Sequence, residues 1–283
     1  MQETLLHRRV DLHCHSIFSD GIFTPTELLA FAKEQGLEML SLTDHDTLNG
    51  LAEAQEAANI HQINLISGVE LSVQWLGVPL HMLVLGFEHQ NAVLNEIIEK
   101  NQKTREIRAK QIAELLIKRG LPDLYDKVIE TAGCSQLGRP HFAKVMVTEG
   151  LVKNIGKAFD QYLSNKHLGK LKSIWPEIEE IVPLLANTHC DLIMAHPRRY
   201  PMTLTKLKRL IAHFDLLGGN AIEVSSGNEN PQNVRLLESL CRELKLGASV
   251  GSDFHGPFSS WSKLGKYTAI QEANIEPIWH KWL

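Results

Sequence analysis

Val10-Asp11-Leu12-His13-Cys14-His15-Ser16 is a short stretch in which apolar and polar residues alternate, and it carries two histidines near its end. Side chains two residues apart in extended backbone point to the same side, so His13 and His15 can share one metal ion. Asp20 follows in a Ser-Asp-Gly turn and adds a carboxylate oxygen. The pattern alone is weak, because ordinary polar residues also occur at strand ends. Its meaning depends on the strands that follow.

Seven short apolar runs predict strands, and most of them precede a helical pattern. Several are continuous Val, Ile and Leu runs, as expected for strands covered on both faces. Strands that alternate with helices predict a parallel α/β sheet, and closure into a barrel is one arrangement that the pattern allows. The predicted strands span residues 10–12, 39–43, 65–69, 81–85, 192–195, 221–224 and 247–250, and the clearest helices among them span 26–35, 50–60 and 233–244.

The alternation stops between residues 91 and 171. Only helices are predicted there, over 91–119, 123–131, 139–148 and 155–163. We therefore predict a barrel domain formed by 1–90 and 172–283, with an all-helical insertion, 91–171, after the fourth strand. Residues 92–175 carry 15 Lys and Arg against 9 Asp and Glu, although the whole chain has a net charge of −4. A basic insertion over an acidic site suits an anionic substrate, but a solvated basic surface has the same composition.

Imidazoles and carboxylates recur at the ends of the predicted strands, where (β/α) barrels assemble active sites. Each has an ordinary alternative; His81, for example, could be a core histidine. Together they exceed the four ligands of one tetrahedral site, so we predict two or three metals, with Glu70 and Asp253 as bridges. Mixed imidazole and carboxylate ligands suit Zn, Mn or Fe. The candidate ligands are His13, His15, Asp20, His45, Glu70, His81, His196, Asp253 and His255.

Such a centre predicts phosphoester hydrolysis. A divalent metal lowers the pKa of a bound water from about 16 to about 7, and paired metals about 4 Å apart stabilise both the attacking and the leaving oxygen of a phosphoryl transfer. The sequence contains no P-loop, no nucleophile elbow and no HExxH motif. We expect Asp253, His196 and His255 to be catalytic; the two histidines are assigned first as ligands and second as aids to proton transfer.

The motifs resemble those of the polymerase and histidinol phosphatase (PHP) superfamily. They are His13-x-His15, Asp20, Thr43-Asp44-His45-Asp46, Gly68-Val69-Glu70, His81, Ala195-His196-Pro197 and Gly251-Ser252-Asp253-x-His255. The resemblance implies a distorted (β/α)7 barrel with a trinuclear centre. Manganese is the metal that we expect first, with zinc and iron as alternatives. The implied ligand sets are His13, His15, Glu70 and Asp253; Asp20, His45 and His255; and Glu70, His81 and His196.

Within the insertion, Gly138-Arg139-Pro140-His141-Phe142-Ala143 resembles the TrpH-like or YciV-like branch of that superfamily. The resemblance implies a phosphatase of 3′,5′-nucleoside bisphosphates such as pAp (adenosine 3′,5′-bisphosphate), which also acts as a 5′→3′ exoribonuclease on 5′-monophosphorylated RNA. An arginine fork binds phosphate through two hydrogen bonds. The candidates for the 5′-phosphate are Arg139, His141, Arg198 and Arg199, and Lys166, Lys170 and Lys172 could follow an RNA backbone.

Two alternatives stay open: a histidinol-phosphate phosphatase, and a metal-stabilised binding module without turnover. No apolar run is long enough to span a bilayer, so we do not expect an integral membrane protein. The sequence begins without a signal-peptide pattern, and its four dispersed cysteines favour reduced thiols. We therefore expect a cytoplasmic protein whose partner is a 5′-phosphorylated nucleotide or a short RNA, and we infer no membrane and no obligate protein partner.

Overall fold

A computed structural model of the protein describes residues 9–88, 90–168, 171, 173–270 and 275–283. In these residues seven strands form one sheet in chain order. The strands are β1 (Val10–Cys14), β2 (Met39–Leu42), β3 (Asn64–Trp75), β4 (Val78–Leu85), β5 (Asp191–Met194), β6 (Ala221–Ser226) and β7 (Gly247–Gly251). The sheet curls so that β1 and the chain after β7 meet: Asp253 N donates to His13 O at 2.8 Å, and His15 N donates to Phe254 O at 2.9 Å. The predicted barrel is confirmed.

The expectation of an entirely parallel sheet is wrong at β4, which runs antiparallel to both β3 and β5. Only Leu76 and Gly77 connect β3 to β4, and both have positive φ, 49° and 73°. A two-residue turn with this backbone makes a hairpin, whereas a parallel crossover needs a dozen or more residues. The reversal brings the first half of β4 to the end of the barrel where the parallel strands finish, and His81 lies opposite Ser72 there.

Among the described residues, five helices of eight or more residues surround the barrel: α1 (Pro25–Glu34), α2 (Leu51–His61), α8 (Ile178–Ala186), α9 (Leu204–Leu217) and α10 (Pro231–Leu244). The start of α1 follows from its sequence, because Thr24 and Glu27 form a reciprocal capping box and Pro25 occupies the first turn. The inner layer is apolar and includes Leu12, Leu40 and Leu71, all fully buried. In the described part of the chain, no helix combines the length and the apolar character needed to cross a bilayer.

The stretch between β4 and α8 is helical in its described residues. It contains α3 (Ala92–Ile117), α4 (Tyr125–Ala132), α5 (Arg139–Thr148), α6 (Ile155–Ala158), which continues as a π-helical turn (Phe159–Leu163), and α7 (Asn165–Leu168). Leu116 and Phe142 belong to a second hydrophobic core, separate from that of the barrel. The first turns of α3 pack instead on the barrel core through Leu94 and Ile97. One helix therefore contributes to both cores.

A buried ion pair joins this helical segment to the barrel. Asp46, after β2, accepts hydrogen bonds from Arg105 Nε at 2.7 Å and from Asn101 Nδ2 at 2.7 Å, both on α3. The same carboxylate accepts from the backbone N and the hydroxyl of Ser72 at 2.8 and 2.7 Å. Burial alone would raise the pKa of Asp46, but Arg105 and these donors hold it below its usual value. The carboxylate is therefore ionised and matched.

Replacing Arg105 by Ala should lower the free energy of unfolding by about 3–5 kcal/mol, because it leaves the buried Asp46 carboxylate without its cation. Urea unfolding followed by circular dichroism measures the change. The matched control is Lys100→Ala on the same helix, which removes only an exposed pair with Glu96 at 2.7 Å and should cost less than about 0.5 kcal/mol. An equal loss of unfolding free energy in the two variants would contradict a stabilising role for the buried pair of Arg105 and Asp46.

Candidate metal centre

All nine predicted ligands lie at one end of the barrel. His13 lies in β1 and His15 just after it, and Asp20 follows in the next loop. The ends of the parallel strands β2, β5 and β7 lead into His45, into His196, and into Asp253 with His255, while Glu70 and His81 lie within β3 and β4. Donor atoms of eight of them, all except His196, form three overlapping groups, and within each group all atoms lie within 4.8 Å of one another. The groups are His13, His15, Glu70 and Asp253; His15, Asp20, His45 and His255; and His45, Glu70 and His81.

The first group matches one implied ligand set, and four of its donor-to-donor distances are those expected of the edges of a tetrahedral site. His13 Nε2 lies 3.2 Å from Glu70 Oε2 and 3.4 Å from Asp253 Oδ1. His15 Nε2 lies 3.2 Å and 3.3 Å from the same two oxygens. A tetrahedron with edges of about 3.3 Å has its centre about 2.0 Å from each corner, which is a normal bond length from zinc to imidazole nitrogen or carboxylate oxygen. These four atoms can therefore hold one divalent ion.

The second group is centred on Asp20. Its Oδ1 lies 3.1 Å from His255 Nε2, 3.8 Å from His45 Nε2 and 3.9 Å from His15 Nδ1. His255 Nδ1 donates to the carbonyl of Asp253 at 2.9 Å, so its Nε2 is the nitrogen with a free lone pair. A hydrogen bond of this kind fixes the tautomer of a ligating histidine. The group thus contains the implied set and adds His15.

The third group lies on the other oxygen of Glu70. Glu70 Oε1 is 2.8 Å from His81 Nδ1 and 3.0 Å from His196 Nε2, and these two nitrogens are 3.3 Å apart. The implied set of Glu70, His81 and His196 is therefore brought together. His45 Nδ1 also approaches Glu70, at 3.0 Å from Oε2. His45 thus faces two groups with its two ring nitrogens.

Buried polar atoms without a hydrogen-bond partner converge in these groups, which is the pattern left when cations supply the missing interaction. They are His13 Nε2, His15 Nε2, Asp20 Oδ1, His45 Nδ1 and Glu70 Oε2. Burial raises the pKa of Glu70, yet His45, His81 and His13 outweigh burial and hold that pKa well below its usual value. Asp20 and Asp253 are shifted in the same direction, with His255 and His13 as the leading histidines. The centre therefore carries three ionised carboxylates.

The histidines show how this negative charge is balanced. Burial lowers the pKa of His45 to about 4, despite the attraction of Glu70 and Asp20. Burial also opposes the charge of His15, but the Asp253 and Glu70 carboxylates beside its Nε2 raise its pKa to about 10. Protons or metal ions must therefore neutralise the carboxylates, and a donor set of this chemistry fits divalent metals.

Glu223, on β6, is a functional residue that the sequence prediction missed. Its Oε1 accepts from His13 Nδ1 at 3.0 Å, and its Oε2 accepts from His196 N at 2.6 Å. The first bond turns Nε2 of His13 towards the first group, and the second helps to hold His196 at the unusual φ of 27°. The available signal was a single Glu within the apolar run Ala221-Ile222-Glu223-Val224. A buried carboxylate in such a run needs a partner.

Two acidic residues that flank His45 face away from the groups. Asp44 accepts from the backbone and hydroxyl of Ser16 at 2.8 and 2.5 Å and from the hydroxyl of Ser19 at 2.6 Å. It thereby fixes the loop that carries Asp20. Asp46 binds α3, as described above. The motif Thr43-Asp44-His45-Asp46 thus contributes one donor to the centre and two supports.

A cavity of about 350 Å³ opens above the centre, between the barrel and the helical segment. Arg139 and Arg199, two of the residues predicted to bind phosphate, line it, but Arg199 is paired with Asp253. Two other predicted phosphate-binding residues do not line it. Arg198 donates to Asn233 Oδ1 at 3.1 Å, and His141 accepts from Gly138 N at 3.2 Å, so it caps α5. Lys166 is exposed, and Lys170 and Lys172 lie outside the described residues.

Arg105 and Arg108, one turn apart on α3, line the same cavity and were not predicted. Arg105 is held by Asp46, whereas the Arg108 guanidinium has no hydrogen bond or ion pair with any described residue and lies 6.0 Å from the Trp175 ring. Burial, together with repulsion from Arg139 and Arg105, lowers the pKa of Arg108 to about 10. The signal in the sequence was the helical spacing that places both arginines on the face of Ala109 and Ile112.

Comparison with known proteins agrees with this geometry. The sequence profile of the PHP domain matches residues 11–183. The chain belongs to the PHP domain family. It is 36% identical over 275 residues to a 5′-3′ exoribonuclease of Haemophilus influenzae, covering 97% of this chain and 99% of the relative. It is 33% identical over 273 residues to a 3′,5′-nucleoside bisphosphate phosphatase of Chromobacterium violaceum, covering 96% and 95%.

A solved structure shares the fold of this PHP domain. It belongs to a Chromobacterium violaceum protein, described as an amidohydrolase, that was solved with bound sulfate and no metal. The TM-score is 0.87 at 32% identity, and the match covers 96% of this chain and 95% of the other. The family membership expected from the motifs is therefore confirmed, and so is the barrel.

Replacing Glu223 by Gln should weaken divalent-metal binding by about 10–100-fold, because an amide nitrogen cannot accept and one of the two contacts is lost. Competition with a chromophoric chelator measures the affinity. Asp191→Asn is the matched control: it makes the same chemical change at the start of β5, at the opposite end of the barrel, where Asp191 pairs with Lys281 at 2.6 Å. Unchanged affinity in Glu223→Gln would show that the carboxylate does not orient the ligands.

Proposed function

We propose that this chain is a metal-dependent phosphoesterase that cleaves the 3′-phosphoester of 5′-phosphorylated nucleotides. It would release phosphate from 3′,5′-nucleoside bisphosphates such as pAp and remove 5′-nucleotides stepwise from 5′-monophosphorylated RNA. One observation carries the proposal. The three groups of carboxylates and imidazoles form the floor of a cavity, and arginines of the helical segment line its wall. The names of the relatives from Haemophilus influenzae and Chromobacterium violaceum agree with both activities.

The nine side chains predicted as ligands are assigned to three divalent metals, with Glu70 shared by the first and third groups. Divalent metals supply Lewis acidity and a water acidic enough to attack phosphorus at neutral pH. Manganese remains our first choice, with zinc or iron as alternatives. Asp253, His196 and His255 are the proposed catalytic residues because they border the cavity where the reacting phosphate would lie.

The arginines around the cavity have different proposed roles in binding. Arg108 and Arg139 are the proposed partners of the 5′-phosphate, since both line the cavity on the side of the helical segment. Arg199 holds Asp253 in place and adds positive charge beside the first group. Arg105 ties Arg108 to the barrel, because its Nη2 binds both Asp46 and Ser72 Oγ, at 2.6 and 2.9 Å. The distance between the arginines and the floor would then select substrates with two phosphate groups.

The two activities require the same cut. In pAp the bond between the 3′-oxygen and phosphorus breaks to give AMP and inorganic phosphate. In RNA the same bond breaks behind the first nucleotide, which leaves as a 5′-nucleotide, while the phosphate stays on the shortened chain. The new end again carries a 5′-phosphate, so the product is the next substrate. We propose that the helical stretch 91–171 acts as the lid of this site.

The proposed setting is the cytoplasm. All four cysteines are free in the described structure, as expected for a reducing compartment. The proposed partners are the nucleotide or short RNA substrate itself.

Purified with Mn²⁺, the protein should convert pAp to AMP and phosphate and should turn over histidinol phosphate far more slowly. Asp253→Ala should reduce the pAp rate by at least about 100-fold, since losing a direct ligand costs more than losing its support. Asp126→Ala removes an exposed carboxylate on α4 and should leave the rate unchanged. Chromatography of the products and a phosphate assay measure both. Preference for histidinol phosphate would favour the other phosphatase, and full activity of Asp253→Ala would refute the metal mechanism.

Arg108→Ala should reduce kcat/KM for pAp by about 10–100-fold, the effect of losing a charge-assisted hydrogen bond. Turnover of adenosine 3′-phosphate, which lacks the 5′-phosphate, should change little, so the ratio of the two substrates is the readout. Lys103→Ala, an exposed cation on the same helix, serves as the control and should keep the wild-type ratio. An equal loss on both substrates would exclude Arg108 as the 5′-phosphate partner.

A further inference from the structure

The loop that follows His255 exposes two aromatic side chains. Phe258 is 68% exposed and Trp261 is 54% exposed, and Ile22 nearby is 41% exposed. Single exposed apolar residues are common on proteins. Ile22 and Phe258 lie beside the candidate metal centre and Trp261 follows in the same loop, so together they indicate a binding surface, because leaving large apolar groups in water costs free energy that a ligand can recover.

Backbone contacts place this surface next to the second metal group. Ile22 N donates to the carbonyl of His255 at 3.0 Å. A Cβ on Gly256 would lie 2.8 Å from Ile22 Cγ1 and 2.9 Å from Phe258 Cζ. The Phe258 ring and Ile22 therefore cover the residue that follows a candidate ligand. The absence of a side chain at Gly256 is required for this approach, and its φ of 152° is also one that L-residues rarely adopt.

The loop is held in place by its own hydrogen bonds. Phe258 N donates to the carbonyl of Gly256 at 2.8 Å, and the Ser262 hydroxyl donates to the same carbonyl at 2.6 Å. Ser262 N donates to the carbonyl of Ser259 at 3.1 Å. The two aromatic side chains are therefore presented from a closed turn. Neither lines the cavity that holds the arginines.

The surface also carries positive charge. Lys263 and Lys266 lie two and five residues after Trp261 in the chain, and both are exposed. Exposed aromatic rings beside lysines are the combination with which proteins bind single-stranded nucleic acid, because every base stacks on a ring and the phosphates attract the cations.

We propose that Phe258 and Trp261 form a stacking surface for the bases that follow the scissile phosphate of single-stranded RNA. The proposal rests on the exoribonuclease activity proposed above. In RNA the phosphate at the metal centre carries a second nucleoside, which must leave the cavity. In pAp the same phosphate ends there, so pAp has no group that could reach the surface. Phe258 and Trp261 thus select RNA over the mononucleotide.

The test compares a short 5′-phosphorylated oligoribonucleotide with pAp as substrates of the full chain loaded with Mn²⁺. Phe258→Ala and Trp261→Ala should each reduce kcat/KM for RNA by about 5–100-fold, the effect of losing one base stack. Both variants should keep the wild-type kcat/KM for pAp. Phe258→Tyr should retain RNA cleavage and Phe258→Leu should lose it, because leucine is apolar but offers no aromatic face. Leu216→Ala is the control, since Leu216 is also a large exposed apolar residue, 83% exposed, but lies on α9.

The outcomes separate the two proposals. If the wild type cleaves both substrates and the alanine variants cleave RNA equally well, the stacking surface is wrong and the phosphoesterase activity stands. A parallel loss on RNA and pAp would also overturn the stacking surface, because it would indicate damage to the centre. If the wild type cleaves neither substrate, both proposals fall.

Discussion

Three carboxylates buried at one end of the barrel impose the main constraint on this molecule. Asp20, Glu70 and Asp253 lie too close together to remain ionised without compensating positive charge. Six imidazoles surround them, and most of the strands contribute at least one of these groups. The hairpin at Leu76-Gly77 contributes to this compensation, since the reversed direction of β4 brings His81 beside Glu70. The supporting carboxylate of Glu223 adds further negative charge, which is tolerated because both of its oxygens accept short hydrogen bonds. The arrangement of the strand ends at this end of the barrel is thus suited to binding cations.

The same end of the barrel also fixes the position of the cavity wall. His45 faces two of the metal groups, and the next residue, Asp46, binds Arg105 and Asn101 on α3. The metal groups and the arginines of the cavity wall are therefore connected through two consecutive residues that follow β2, His45 and Asp46. Because α3 also packs on the barrel core at its start and on the helical core at its end, a shift of the wall would disturb both. A fixed distance between the arginines and the metal groups would allow the site to select substrates by the separation of their two phosphates.

The clustering of the candidate ligands at the strand ends could be predicted because each motif is local and the face of a strand follows from a period of two residues. Other features depend on contacts that no local pattern contains. The direction of β4 was decided by the two-residue turn, which lies outside the apolar run that marked the strand. Arg198 and Arg199 are neighbours with the same chemistry, yet a single 3₁₀ turn sends one to Asn233 and the other to Asp253. Arg108 became visible only when α3 was placed against the barrel. The sequence motifs therefore predicted the floor of the cavity better than its wall.

The arginine wall carries more information about the substrate than the barrel does, because one fold can host many reactions. Arg105 is already satisfied by Asp46, and Arg199 by Asp253. Arg108 is different, since it is partly buried, faces two like charges and lacks a hydrogen-bond partner among the described residues. Such a cation is unfavourable until an anion enters, and an entering phosphate would relieve both the repulsion and the unsatisfied donors at once. In the proposed role of Arg108 the free energy released there depends on the second phosphate of the substrate, so we expect a phosphomonoester without it to bind weakly at the same metal centre.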